Sequence, residues 1–286
     1  MAIVLGRNRY GKAETRLVHV RRGGDRHDLM DLNVSVALSG DLAATHLSGD
    51  NAGVLPTDTM KNTVYAFARE HGVGAPEAFG LLLARHFVTT QPQVSAAEVA
   101  LESYGWERLG PHSFRRSGDH VRTAAVTVAE QGTQVVSGLK DLVLLNTTDS
   151  EFHGYPRDRY TTLPETTDRI LATAVDARWR HRGDAADWDE SFAGARQALV
   201  EAFVDTYSHS LQQTLYAMGQ RVLESRPEIA EIRLALPNKH HYLMDLSPFG
   251  LDNPQEVFQA GDRPYGLIEG TVTRDDVSPA SAEWYL

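Results

Sequence analysis

Residues 28–40, DLMDLNVSVALSG, alternate so that Leu32, Val34 and Val36 share one face; residues 56–72, PTDTMKNTVYAFAREHG, place Met60, Val64, Phe67 and Ala68 on one side of a helix. The hydrophobic period changes from two to 3.6 within one short stretch of chain. That change predicts helices packed on a sheet, the α+β class. Working outward, ETRLVHVRRG at 14–23 also alternates and makes a strand pair with 28–40. APEAFGLLLARHF at 75–87 reads as a second helix, and strands are expected over 92–107 and 119–129.

The turn EQGT at 130–133 separates two apolar stretches and marks the expected boundary between a first domain, 1–131, and a second, 132–286. Beyond it the order repeats: a strand, a loop, a helix at 163–174, helical segments over 191–224, and strands at 229–236 and 241–246. Thr57-Asp58 and Thr167-Asp168 each precede a similar apolar run, a thin trace of duplication.

Three helix starts bear on function, because unpaired N–H groups at a helix N-terminus attract anions and carbonyl oxygens. Thr162-Leu163-Pro164-Glu165 has the form of a capping box with proline in the first turn. Ser210-Leu211-Gln212-Gln213 has the same form, breaking the long helical stretch near Tyr207–Ser210 and leaving the Leu211 and Gln212 amides open. Thr57, after Pro56, is placed to cap a helix beginning near Asp58.

Composition removes many alternatives. At 286 residues the chain can form one large domain or two of about 140. With 42% hydrophobic and 23% charged residues it matches ordinary folded proteins, and no apolar stretch approaches the ~18 residues of a membrane span. A net charge of −10 opposes a phosphate-binding surface, so no nucleic-acid partner is expected. The absence of cysteine excludes disulfides, zinc–thiolate sites, iron–sulfur clusters and cysteine nucleophiles. The opening MAIVLGRNRYGK has too short an apolar run for a secretion signal, and the terminal EWYL lacks a Ser-Lys-Leu address; a cytoplasmic location is expected, with no membrane partner.

Gly6-Arg7-Asn8-Arg9-Tyr10-Gly11-Lys12 matches most of a phosphate-binding loop, but Ala13 stands where Ser or Thr must hold magnesium, and a strand-like ETRLVHV follows where a helix is required. His240 and His241 are adjacent, so in a strand they point to opposite faces and do not share a metal. No metal site is expected.

Five segments in order carry a stronger signal: Arg9-Tyr10-Gly11-Lys12, Thr57-Asp58-Thr59-Met60-Lys61-Asn62-Thr63, Tyr160-Thr161-Thr162-Leu163, Asp168-Arg169-Ile170-Leu171 and Leu236-Pro237-Asn238-Lys239-His240. Together they resemble urate oxidase (uricase), from residue 9 to about residue 246. The resemblance implies two tandem tunnelling-fold (T-fold) domains, with antiparallel sheets and helices on one face, that stack into a barrel in a homotetramer. It also implies oxidation of urate by O2 and water to 5-hydroxyisourate and hydrogen peroxide, without cofactor or metal. Other readings of the residues are a different T-fold enzyme acting on a purine or pterin, or a purine-binding oligomer without chemistry.

The family pattern carries over residue by residue. Arg169 matches the arginine that forks onto the substrate, and Gln212 the glutamine that grips the opposite edge. A planar pair of donors suits an anionic purine, and an amide suits a lactam. Phe152 matches the aromatic that stacks on the ring. Leu211 stands where the family often has valine and would offer its backbone N–H. The amides of Thr57 and Asp58, from a neighbouring subunit, would bind the remaining edge. Lys12, Thr57 and His240 match the proton relay, and Asn238 the residue that holds oxygen or water above the ring. Urate must lose a proton before it can reduce oxygen, so a partly buried lysine acting through a threonine hydroxyl, extended by a neutral histidine, suits the task.

Overall fold

The computed structural model describes residues 1–261 and 263–278; the terminal EWYL lies outside the described residues. The chain forms two compact units, Met1–Gly138 with Arg180–Phe192, and Leu139–Trp179 with Ala193–Leu286.

The first unit contains β1 (Tyr10–Gly23), β2 (Arg26–Gly40), α1 (Ala43–Ser48), α2 (Thr57–His71), α3 (Pro76–Thr90), β3 (Val94–Ser103), β4 (Trp106–Arg108), β5 (Phe114–Arg116) and β6 (Val121–Ala129). β7 (Gly132–Asn146) leaves this unit for the second, and β8 (Leu171–His181) returns. The second unit continues with α4 (Trp188–Asp205), which starts in the first, then α5 (Leu211–Ser225), β9 (Ile229–Asn238), β10 (His241–Leu243), β11 (Phe258–Ala260) and β12 (Gly266–Thr273).

Strand order in the first unit is β1-β2-β3-β6-β7, with β1/β2, β2/β3 and β3/β6 antiparallel. Leu32, Val34, Val36 and Leu38 of β2 and Ala97, Val99 and Leu101 of β3 form one buried face. Met60, Val64 and Ala68 of α2, with Phe79, Leu83 and Phe87 of α3, close over it, and Phe67 packs at the rim. The helical face and the strand face expected from the sequence are the two sides of this core. In the second unit the order is β7-β8-β9-β12. Val175, Ala177 and Trp179 of β8 and Ile232, Leu234 and Leu236 of β9 are buried, as are Leu199 and Phe203 of α4 and Met218 and Val222 of α5.

Three expectations need correction. No helix spans 163–174: residues 163–170 form a loop and β8 begins at Leu171. The run LATAVDARWRH buries alternate residues from Leu171 to His181, so a period of two prevails there. Thr162 to Glu165 therefore caps nothing; the Leu163 carbonyl instead accepts hydrogen bonds from Tyr155 OH at 2.6 Å and Arg157 Nη2 at 2.9 Å. The strand expected over 92–107 ends at Ser103, and the short hairpin β4/β5 precedes β6. The strand expected over 241–246 is only β10, paired with β11.

Both units share the plan of two long strands, then helices, then further strands, and a backbone device repeats with it. In β1, Glu14 adopts φ 56°, the pairing register with β2 shifts between Lys12 and Thr15, and the Glu14 N–H donates to Ser35 Oγ of β2 at 3.0 Å. In β7, Asp141 adopts φ 65° and its N–H donates to Asp176 Oδ1 of β8 at 2.9 Å. A left-handed residue in a strand marks a bulge, and here a side-chain oxygen on the next strand takes over the displaced ladder bond. We predict that Glu14→Val and Asp141→Val each lower unfolding free energy by about 1–3 kcal/mol, since a β-branched residue is strained at positive φ, while Glu14→Gly is neutral or stabilising. Denaturant titration checks both, and a harmless valine at either position contradicts the strain.

Candidate active site

In the first unit, Lys12 is half-buried on β1 opposite Val36. Its neighbour Gly11 allows β1 and β2 to approach: a Cβ there would lie 1.8 Å from the Val36 carbonyl oxygen. The bulge at Glu14 then turns the strand just beyond the lysine. Thr57 is the first residue of α2 rather than its cap; Pro56 holds the cap position and makes no side-chain hydrogen bond. The Pro56 carbonyl accepts from Thr59 N at 2.9 Å and Met60 N at 3.3 Å, so the Thr57 and Asp58 amides precede the helical ladder and remain available for a ligand. The Asp58 carboxylate accepts from Lys61 Nζ and from Asn62 Nδ2 at 2.9 Å. The Lys61 bond, then the Asn62 bond and the charges of Lys61 and Lys12, hold its carboxyl below the usual range.

The second unit holds the other group. Phe152 exchanges two backbone hydrogen bonds with Thr166, at 2.8 and 3.1 Å, which fold the loop between β7 and β8 back on itself. Arg169 N–H donates to the Ser150 carbonyl at 2.9 Å and its Nε to Ser150 Oγ at 3.2 Å. The guanidinium carbon lies 5.2 Å from the centre of the Phe152 ring, so a cation and an aromatic face stand together. Burial pushes the Arg169 pKa down. Phe152 also stacks on Tyr155, with centroids 4.9 Å apart at 18°.

β9 ends at Asn238, and the Lys239 N–H donates to the Ala172 carbonyl on β8 at 2.8 Å, which sets the chain entering His240. The His240 ring stacks on Tyr242 at 5.9 Å and its carbonyl accepts from Gly261 N at 2.8 Å. Burial first, then the charges of Arg169 and His241, lower the His240 pKa, which favours the neutral ring.

Helix α4 stops at Asp205 and α5 begins at Leu211 with Ser210 as N-cap, its Oγ accepting from Gln213 N at 3.2 Å. The Gln213 side chain accepts from His209 N at 2.8 Å, one residue earlier than a standard capping box. Leu211 is buried and Gln212 is exposed, and their amides lie ahead of the first helical bond, Thr214 N to Ser210 O at 3.1 Å. Ser150 and Ser208 form a parallel bridge, which sets the Phe152–Arg169 loop beside this helix start.

The structure therefore carries Lys12, Thr57 and Asp58 in the first unit, and Phe152, Arg169, Leu211, Gln212, Asn238 and His240 in the second, where Phe152 and Arg169 are in direct contact. Sequence reasoning missed the supports: Ser150 under Arg169, Ser35 at the bulge, Tyr242 behind His240. Among the described residues no three His, Asp or Glu side chains gather in a way that could hold a metal ion. Nor, among them, is any helix long and apolar enough to cross a membrane.

Comparison with known proteins places this arrangement in a family. A model of the uricase family matches residues 8–127 and again 135–269. The chain is 52% identical over 275 residues to a uricase of Arthrobacter globiformis, covering 96% of this chain and 91% of that one, and 38% identical to a uricase of Dictyostelium discoideum, covering 93% and 96%. The crystal structure of the Arthrobacter globiformis uricase superposes with a TM-score of 0.97 at 50% identity over the full length of both chains. A Bacillus fastidious uricase at 23% identity, with a TM-score of 0.79 and 94% of each chain covered, shares the fold. With the family pattern present twice in tandem and these likenesses spanning nearly the whole chain, the protein belongs to the uricase family.

Proposed function

We propose that the protein oxidises urate with O2 and water to 5-hydroxyisourate and hydrogen peroxide, with no cofactor or metal. The observation that carries the reading is the juxtaposition of Arg169 and Phe152 in a loop bridged to a helix start with open amides, alongside a His240 that favours its neutral form. A guanidinium fork and the Gln212 amide grip a flat anion in its plane, while Phe152 offers a face to stack on. Urate is itself the reductant: it supplies the two electrons that turn O2 into peroxide, and water supplies the hydroxyl oxygen of the organic product. Lys12 takes the proton through the Thr57 hydroxyl, His240 extends the relay, and Asn238 holds O2 or water above the ring.

Lys12, Thr57 and Asp58 serve the site of a neighbouring subunit in a homotetramer whose sheets close into a barrel. Two features support assembly. β1 and β12 are edge strands, and both expose apolar side chains, Val18 and Val20 on β1 and Leu267 on β12. A domain boundary at 131/132 suits this tandem plan, lying between the two segments matched by the family model. A cytoplasmic location is part of this reading.

Three outcomes are expected. Protein dialysed against a chelator consumes O2 and releases peroxide when urate is added, measured by oxygen electrode and a peroxidase-coupled dye; binding without either signal leaves a non-catalytic purine binder. Lys12→Ala lowers kcat by about 10²–10⁴-fold with little change in urate affinity, in line with loss of a general base; an unchanged rate removes Lys12 from the mechanism. The His240 pKa is lowered from 6.5, so the neutral ring persists at pH 7 and is lost only as pH falls through that lower value. The rate should accordingly hold from neutral pH down past the ordinary histidine range and fall only in more acid solution, and His240→Gln should abolish that acid limb.

A further inference from the structure

One polar cluster beside the site has no part in this chemistry. Three ring side chains converge on the Glu151 carboxylate: His209 Nδ1 and His153 Nε2, the latter at 3.1 Å, donate to Oε1, and Tyr207 OH donates to Oε2 at 3.0 Å. The Glu151 side chain is only 13% exposed, against 62% for His209, so the carboxylate is sheltered beneath its partners. The backbone runs the same way: Glu151 N–H donates to the Ser208 carbonyl at 2.8 Å, and Ser208 N–H to the Asp149 carbonyl at 2.9 Å.

What this cluster joins gives it meaning. Glu151 immediately precedes Phe152, and His209 immediately precedes Ser210, the cap that presents the Leu211 and Gln212 amides. Residues 156–160 and 162–165 of the intervening loop are exposed, so no hydrophobic core holds the loop in place. Its position rests on polar ties, and two of this carboxylate's bonds, to Tyr207 and His209, reach the segment that leads into α5.

We propose that Glu151 is a positioning residue for urate: through His209 and Tyr207 it locks the Phe152 ring and the first amides of α5 into one rigid cradle. The inference rests on the assignment of Phe152, Arg169, Leu211 and Gln212 to substrate binding. The ionised carboxylate is a pure acceptor and takes all three donors, whereas protonation turns one oxygen into a donor and weakens the clamp. The His209 bond, with those of Tyr207 and the charges of His153 and His209, keeps the Glu151 carboxyl below its usual range despite desolvation. Tyr207 is raised in return, by the Glu151 bond first and then by burial and the charges of Glu151, Asp149 and Asp168. With the folded-state pKa depressed, the clamp is complete at neutral pH and is lost as pH falls through that depressed value.

The test is steady-state urate kinetics across pH on the intact protein, with thermal midpoints recorded for every variant and Arg169→Ala as a parallel control. Glu151→Ala should raise KM about tenfold while kcat stays within about threefold, the pattern of lost substrate positioning. Glu151→Gln mimics the protonated carboxyl, so at neutral pH it should already show the raised KM that the parent reaches only in acid, and that KM should change little as pH falls. The proposal is overturned if Glu151→Ala leaves KM unchanged while Arg169→Ala raises it, or if kcat and the thermal midpoint fall with KM constant. Should Arg169→Ala also leave KM unchanged, the assignment of the cradle itself fails and takes this inference with it.

Discussion

Two backbone hydrogen bonds between Phe152 and Thr166 decide where the second-unit chemistry stands. They turn residues 149–170 into a folded-back loop, so that Ser150 meets Arg169 and the guanidinium arrives beside the aromatic ring. A helix over this stretch would have put Arg169 on a surface beside Glu165 and left Phe152 without a partner. The loop is polar and largely exposed, and it holds its shape because backbone donors find backbone acceptors at Ser150, Phe152 and Ser208.

Around that loop, the fold uses one arrangement twice. In each unit a long strand pair carries a left-handed bulge whose displaced N–H is taken by a side-chain oxygen across the pair, Ser35 in one and Asp176 in the other. The helices that follow bury an apolar stripe on the sheet and leave an N-terminus open. The repeat has diverged in what it presents. At the matching distance before the bulge, the first unit has Lys12 and the second has Leu139, so the cation belongs to one copy only.

Charge follows the same division of labour. Arg169 is a cation half-sheltered from water, and it helps keep His240 neutral. Asp58 is tied to Lys61 and Asn62 at the start of α2, where a carboxylate complements the helix dipole. In the proposed function these placements share one purpose: cation and amide draw an anionic purine, and groups that can hold a proton take it.

The sequence determined a good deal alone. Alternation in 28–40 and the helical stripe at 56–72 specified sheet and helix because apolar period is a local property. Ser210 announced the start of α5 because a cap is also local, and the Asp168-Arg169 and Asn238-Lys239-His240 segments named a family. What sequence misjudged was 163–174, where a capping pattern competed with the alternation of Leu171–His181; burial of every second side chain against the sheet outweighed the local cap. The neighbours of the site residues, Ser150 beneath Arg169, Tyr242 behind His240 and Glu151 between His209 and Tyr207, were visible only in the tertiary structure. Each is a contact between residues distant along the chain or across a turn, and no periodicity encodes which side chain will face which.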